Sequence, residues 1–333
     1  MRICVSGAGN DHRLGGDEAP PAIVSIFLGE ELTDILEAIE RGESYKGTDK
    51  KQLEIGVDLL PKFSLDSTDR NRTSPFAFTG NKFEFRMPGS SLSIAGVNMV
   101  INTIVADALR QFADRLEVAT DFQKELNTLI RETITKHKRI IFNGNNYSQE
   151  WVKEAQKRGL YNLLRTPDCV PLYTSEKNVA LFEGHHVLSR VELEARCEIL
   201  LENYVKTLRI EARTLLEMIK RDVLPATITA ADRLAVAIEH KKRLSEDLDF
   251  SMELALLRNF TKLNKNLYAE IGNLQRALEK AAEQEGIIAV SRSYADQIVP
   301  TMGRIRKLAD ELETITPSEL WPFPTYSDLL FYA

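Results

Sequence analysis

Between Asp69 and Arg86 the chain reads Asp-Arg-Asn-Arg-Thr-Ser-Pro-Phe-Ala-Phe-Thr-Gly-Asn-Lys-Phe-Glu-Phe-Arg, setting cations and a glutamate among apolar residues. Its second half alternates strictly. A period of two predicts a strand with Phe83 and Phe85 on one face and Lys82, Glu84 and Arg86 on the other. Such a charged face is ordinarily solvated surface. The preceding Arg70-Asn71-Arg72 turn, however, brings further cations into the same neighbourhood. A carboxylate among guanidinium groups suits phosphate, metal and a second carboxylate. A second chemically loaded stretch, Asn10 to Pro21, is polar, glycine-containing and ended by proline, hence a loop. It carries Asp11, His12, Arg13, Asp17 and Glu18. The nearby Gly7-Ala-Gly9 is no dinucleotide fingerprint, because His12 stands where its third glycine would be and no helix-forming run follows directly.

Three strings occur in the order found in one known family: Gly9-Asn-Asp-His-Arg-Leu-Gly-Gly-Asp-Glu-Ala-Pro-Pro21, the Asn71 to Arg86 stretch, and Glu319-Leu-Trp-Pro-Phe-Pro-Thr-Tyr-Ser-Asp-Leu-Leu-Phe331. They resemble glutamine synthetase, most closely its long, type III form, and only the C-terminal portion of it. The resemblance implies an ATP-dependent ligase that joins ammonia to glutamate through γ-glutamyl phosphate, with Mg2+ or Mn2+. It puts Arg13 and Arg86 on the substrate, Glu18 on a mobile flap, Arg72 and Lys82 on the phosphates of ATP, and Glu84 on metal. Glu18 and Arg72 are the catalytic pair on this reading. A further phosphoryl-stabilising arginine of the short forms would fall near Ala77 and is absent, leaving Arg70, or a cation from elsewhere, to replace it. The resemblance also implies a homo-oligomeric ring, a dodecamer, in the cytoplasm.

The chemistry needs such residues. ATP carries about four negative charges, and a carboxylate ~4 Å from a phosphate repels it by roughly 4 kcal/mol per charge pair at an effective dielectric of 20. Arginines and hard metal ions must offset that repulsion. A single glutamate is not a metal site, however, and no second Glu-x-Glu strand occurs in the chain. His185-His186, read as strand residues that face apart, do not supply one. The chain alone is therefore expected to be inactive. Two other functions fit the same residues: a γ-glutamyl ligase that uses another amine, and a non-catalytic helical assembly module with a decayed site.

At 333 residues, 43% hydrophobic and with a formal charge of −6, the chain is long enough for two domains and is a poor match for nucleic acid or an anionic membrane. No apolar run is long enough for a membrane span. Cys4, Cys169 and Cys197 are odd in number and far apart, so they form neither a disulfide framework nor a metal cluster. Residues 2 to 8 read as a short strand, opening abruptly enough that Met1 could be a fragment boundary. A helix is predicted from Leu32 to Ile39, and 41 to 51 as an exposed insertion. After Pro88 the chain turns helical, with Ser148 capping a helix from Gln149. From Ser189, apolar residues three and four apart predict a long amphipathic helix that Pro225 stops. Thr229-x-x-Asp232 resembles a capping box. Stripes at Phe260, Leu263, Leu267, Ile271, Leu274 and Leu278, and at Met302, Ile305, Leu308, Leu312 and Ile315, predict bundle seams. Trp321-Pro-Phe-Pro-Thr-Tyr reads as an aromatic anchor. The expected fold is α+β: a remnant of a catalytic sheet over residues 1–110, then a mostly α-helical region over 111–333.

Overall fold

The computed structural model describes residues 1–15, 19, 21–43, 52–53, 63–64, 73–245, 247–324 and 326–330. Glu18, Arg70, Arg72 and most of the 41–51 insertion lie outside them. The chain is α+β, with helix predominating, and divides into two compact units at Leu200 and Leu201.

In the first unit, Arg2–Val5 is a 3-10 turn followed by α1 (Ala8–Asp11). This corrects the strand expected over residues 2 to 8. The turn lets the Arg2 side chain become almost wholly buried and bond Ser6 on its own segment, which an extended chain would not do. After β1 (Ile26–Phe27), α2 (Glu30–Arg41) has Glu30 and Glu31 in its first turn, where the helix dipole favours anions. It ends on Gly42 at φ 72°, with Glu43 N–H donating to the Ala38 carbonyl, a glycine C-cap. Short strands β2 (Gln52–Leu53) and β3 (Phe63–Ser64) pair antiparallel.

The sheet that matters to the site has the order β1, β4 (Phe76–Phe78), β5 (Phe83–Phe85), with β1 parallel and β5 antiparallel to β4. Gly80, at φ 90°, makes the hairpin turn. The register sets Phe76 opposite Phe85 and Phe78 opposite Phe83, so four aromatic rings gather on one face. Phe76 stacks on Phe83 at 5.5 Å and meets Phe85 edge-on at 5.9 Å. Those contacts fix which side chains point the other way.

Helices then follow: α3 (Ile94–Glu117), α4 (Phe122–His137), α5 (Gln149–Lys157), α6 (Thr166–Cys169) and α7 (Glu176–Gly184). Ser93, Asp121 and Ser148 each accept a backbone N–H at their helix N-termini. His185 and His186 end α7 rather than occupying a strand. His186, at φ 53°, takes the left-handed position, and Val187 N–H closes onto the Phe182 carbonyl. Val100 of α3 shares a buried cluster with Val179 and Phe182 of α7. Val5, Leu14, Met87 and Val97 make a second cluster beneath the charged strand.

The unit boundary falls within α8 (Arg190–Met218). Pro225 does not stop the helical path. A π-helical segment, Ile219–Val223, precedes it, and α9 (Leu224–Leu244) begins with Pro225 in its first turn. The wider π turn relieves the clash between the proline ring and the carbonyl four residues back. The same arrangement recurs at Tyr294–Ile298, where Pro300 follows. Thr229 consequently sits inside α9, its hydroxyl donating to the Pro225 carbonyl at 2.9 Å, and caps nothing. The rest of the second unit is α10 (Ser251–Ala282), α11 (Ile287–Ser293), α12 (Val299–Glu313) and α13 (Tyr326–Leu330). α10 packs between α9 and α12, burying Phe260, Leu263, Leu267, Ile271 and Leu274. Each fully buried side chain of this kind stabilises the bundle by about 1.5–3 kcal/mol before entropy is subtracted. The rings of Trp321 and Phe323 meet edge-on at 6.1 Å, both half-buried.

Candidate functional site

The charged face of β5 is as the alternation predicts. Lys82 Nζ lies 3.3 Å from Glu84 Oε1, and Arg86 Nη2 and Nε lie 3.0 and 3.2 Å from Glu84 Oε2. One carboxylate is thus shared between two cations. Arg86, and after it Lys82, hold the Glu84 carboxyl below the ordinary glutamate value. It is anionic at neutral pH. Glu84 remains 38% exposed and Lys82 66%, so solvent and solutes reach both. Ala77, the position where a further arginine would fall in the short forms, is fully buried on β4.

Arg13 reaches the same place from the N-terminal loop. Its Nη2 donates to the carbonyls of Met87 at 2.9 Å and Pro88 at 3.0 Å, the two residues that follow Arg86. Its Nε donates to Asn10 Oδ1 at 2.9 Å. A chain separation of more than seventy residues is closed here by side-chain to backbone bonds. Arg13, Lys82, Glu84 and Arg86 therefore belong to one neighbourhood. Glu18 and Arg72 lie outside the described residues.

Asn10 and Asp11 fall in a stretch that the sequence marks, but nothing in it assigns them, or Arg2, the role of placing this segment. Arg2 donates to the Leu163 and Leu164 carbonyls at 2.8 and 3.0 Å and pairs with Asp11 at 2.9 Å. Asp11 in turn accepts the Thr166 backbone N–H at 2.6 Å and the Thr166 hydroxyl at 2.9 Å. Burial raises the Asp11 carboxyl above its ordinary value, opposed by the Thr166 and Arg2 donors. An Arg and an Asp nine residues apart in sequence look like solvated charges until α6 is folded against them. Ser6 Oγ lies 2.8 Å from Cys169 Sγ, and burial pushes that thiol up, so Cys169 is a buried thiol.

The described residues do not compose a metal site. Both Glu84 oxygens are already engaged by cations, and no group of three His, Cys, Asp or Glu side chains is placed to hold an ion among the described residues. His185 Nε2 instead contacts Asp107 at 3.0 Å, and His12 is exposed with Nδ1 3.3 Å from the Ala8 carbonyl. No described helix is long and apolar enough to cross a membrane.

Residues 125–242, from α4 through α9, match the family model of the glutamine synthetase C-terminal domain. The chain is 38% identical over 340 residues to a glutamine synthetase of Butyrivibrio fibrisolvens, covering 99% of this chain and 47% of that protein. The chain belongs to the glutamine synthetase family. It is also 36% identical to the type-3 glutamine synthetase of Dictyostelium discoideum, over 99% of this chain and 46% of that protein. A glutamine synthetase of Bacteroides fragilis is 33% identical, over 99% of this chain and 47% of that one. The chain thus spans about half the length of the curated relatives it matches.

Proposed function

We propose that this chain is the C-terminal part of a type III glutamine synthetase, whose whole form ligates ammonia to glutamate through γ-glutamyl phosphate at the expense of ATP. The single observation that carries the reading is the Lys82–Glu84–Arg86 face with Arg13 fixed on the two carbonyls just beyond it. In a family of ATP-dependent carboxylate ligases, that is an arrangement of cations suited to two anions that must meet. Arg13 and Arg86 would orient the substrate carboxylates by charge-assisted hydrogen bonds. Lys82, mobile at its exposed end, would meet phosphate oxygens. Glu84 would keep Arg86 and Lys82 aligned until substrate arrives. Glu18 and Arg72 take the flap and phosphoryl roles on the family resemblance alone. Mg2+ or Mn2+ belongs to the whole enzyme's chemistry, and Glu84 would be one of its ligands, but this chain's described residues do not hold it and no step is drawn through it. Division into a catalytic part over 1–110 and a helical part over 111–333, a dodecameric ring and a cytoplasmic setting complete the proposal.

The experiment is phosphate release dependent on ATP and glutamate, with ammonia and Mg2+ or Mn2+. It is run on this chain alone and after mixing with a separately produced segment equivalent to the other half of a relative. Silence alone and turnover in the mixture are expected, with turnover lost in Glu84→Gln while the thermal midpoint stays put. Turnover by the chain alone would overturn the half-site reading. Silence in the mixture and in a covalent full-length chain would overturn the enzymatic one.

A further inference from the structure

The first fourteen residues hold a buried amide whose placement decides what Arg13 can do. Asn10 is 2% exposed. Its Nδ2 donates to the Val5 carbonyl at 2.8 Å and the Met87 carbonyl at 3.1 Å, and its Oδ1 accepts Arg13 Nε at 2.9 Å. The amide orientation is fixed by these partners: turned over, its oxygen would face two carbonyl oxygens and its nitrogen would face a guanidinium. Arg13 spends its Nε hydrogen on Asn10 and both Nη2 hydrogens on Met87 and Pro88. Among the described residues only Nη1 is left without an acceptor. A fork that could grip a carboxylate with two parallel bonds is thereby reduced to a single presented nitrogen with a fixed direction.

Gly89 makes this packing possible. A Cβ at Gly89 would sit 3.0 Å from Asn10 Oδ1 and 3.6 Å from Arg13 Nε, so any side chain there pushes on the bond between them.

We propose that Asn10 is the positioning residue of Arg13, locking the guanidinium side-on to the Met87–Pro88 backbone so that it meets a substrate carboxylate through Nη1 alone, with Gly89 leaving the room. The proposal rests on the reading of Arg13 as a substrate arginine. It implies that the second contact to that carboxylate comes from another cation, with Arg86 on the adjoining strand as the candidate.

The test has two arms. In the isolated chain with 15N-labelled arginine, the Arg13 Nε–H resonance, assigned by its disappearance in Arg13→Lys, is followed by side-chain NMR for protection from solvent exchange. Protection is expected in the wild type and its loss in Asn10→Ala and in Gly89→Ala, with circular dichroism unchanged. Asn10→Asp should fail to restore it, because a carboxylate cannot donate to the Val5 and Met87 carbonyls. In the second arm, the chain assembled with the other half of the enzyme is assayed for glutamate dependence. Asn10→Ala and Gly89→Ala should raise KM for glutamate about tenfold with kcat changed far less, the scale of one weakened charge-assisted bond. Protection that survives in both variants overturns the proposal. So does lost protection with an unchanged KM, which would make Asn10 a structural tie. If the assembled wild type and a covalent full-length chain are both silent, the enzymatic reading fails and the substrate role of Arg13 with it, and the first arm separates that failure from a misplaced Asn10.

Discussion

Removal of the Asp11 carboxylate is the sharpest test of how the N-terminal loop is held. In Asp11→Ala, Arg2 keeps its bonds to the Leu163 and Leu164 carbonyls and to Ser6 Oγ, but its charge, with a side chain 4% exposed, loses its counter-ion. Breaking a buried pair from one side costs about 3–5 kcal/mol. The Thr166 N–H also loses its acceptor, a further penalty of about 1–3 kcal/mol if it stays dry. The two overlap, since water entering the gap relieves both, so a total of about 3–5 kcal/mol is expected rather than the sum. Trp151, 1% exposed in the first unit, reports unfolding there by fluorescence once Trp321 is replaced by Phe. Urea unfolding of this background with and without Asp11→Ala gives the difference. A loss below about 1 kcal/mol would refute the reasoning, because it is the range of a solvated surface pair. The pH dependence adds a second check. Burial raises the folded carboxyl above its unfolded value, so its contribution is full below the unfolded pKa and declines as pH rises through the folded one. The stability of wild type relative to Asp11→Asn should therefore shrink as pH rises from below the ordinary aspartate value through the raised folded one. A difference that grows over that range would show that Arg2 and Thr166 outweigh desolvation.

Two further outcomes test the packing. Gly144→Ala would place a Cβ 2.7 Å from Phe142 Cζ, and Phe142 stacks on Trp151 at 3.8 Å. A destabilisation of about 1–3 kcal/mol with a shifted Trp151 emission is expected; unchanged emission and stability would show the ring free to move aside. Deleting Lys220, an exposed residue of the π segment, should force Pro225 into a regular α-turn at a cost of about 3 kcal/mol, whereas the same deletion with Pro225→Ala should be nearly neutral. Urea unfolding followed by circular dichroism measures both, and equal losses would show that the bulge answers packing rather than the proline.

Local periodicity made much of the chain legible. The alternation from Lys82 to Arg86 put three charges on one strand face, and the pairing distances agree. The apolar spacing from Phe260 to Leu274 identified the buried stripe of α10, and Ser148 marked the start of α5, because a cap and a stripe need only residues three or four positions apart. Pro225 escaped that reading because a π turn forms before it, and no residue spacing displays one. What the sequence by itself determined was which residue types share a strand face, a helix stripe or a cap. Tertiary structure alone decided that Arg13 lies on the carbonyls of Met87 and Pro88, that Asn10 holds it there, and that Asp11 is a buried partner of Arg2 and Thr166. Those partners are more than seventy residues apart or lie in short turns without a repeat, and such hydrogen bonds leave no period for a sequence to display.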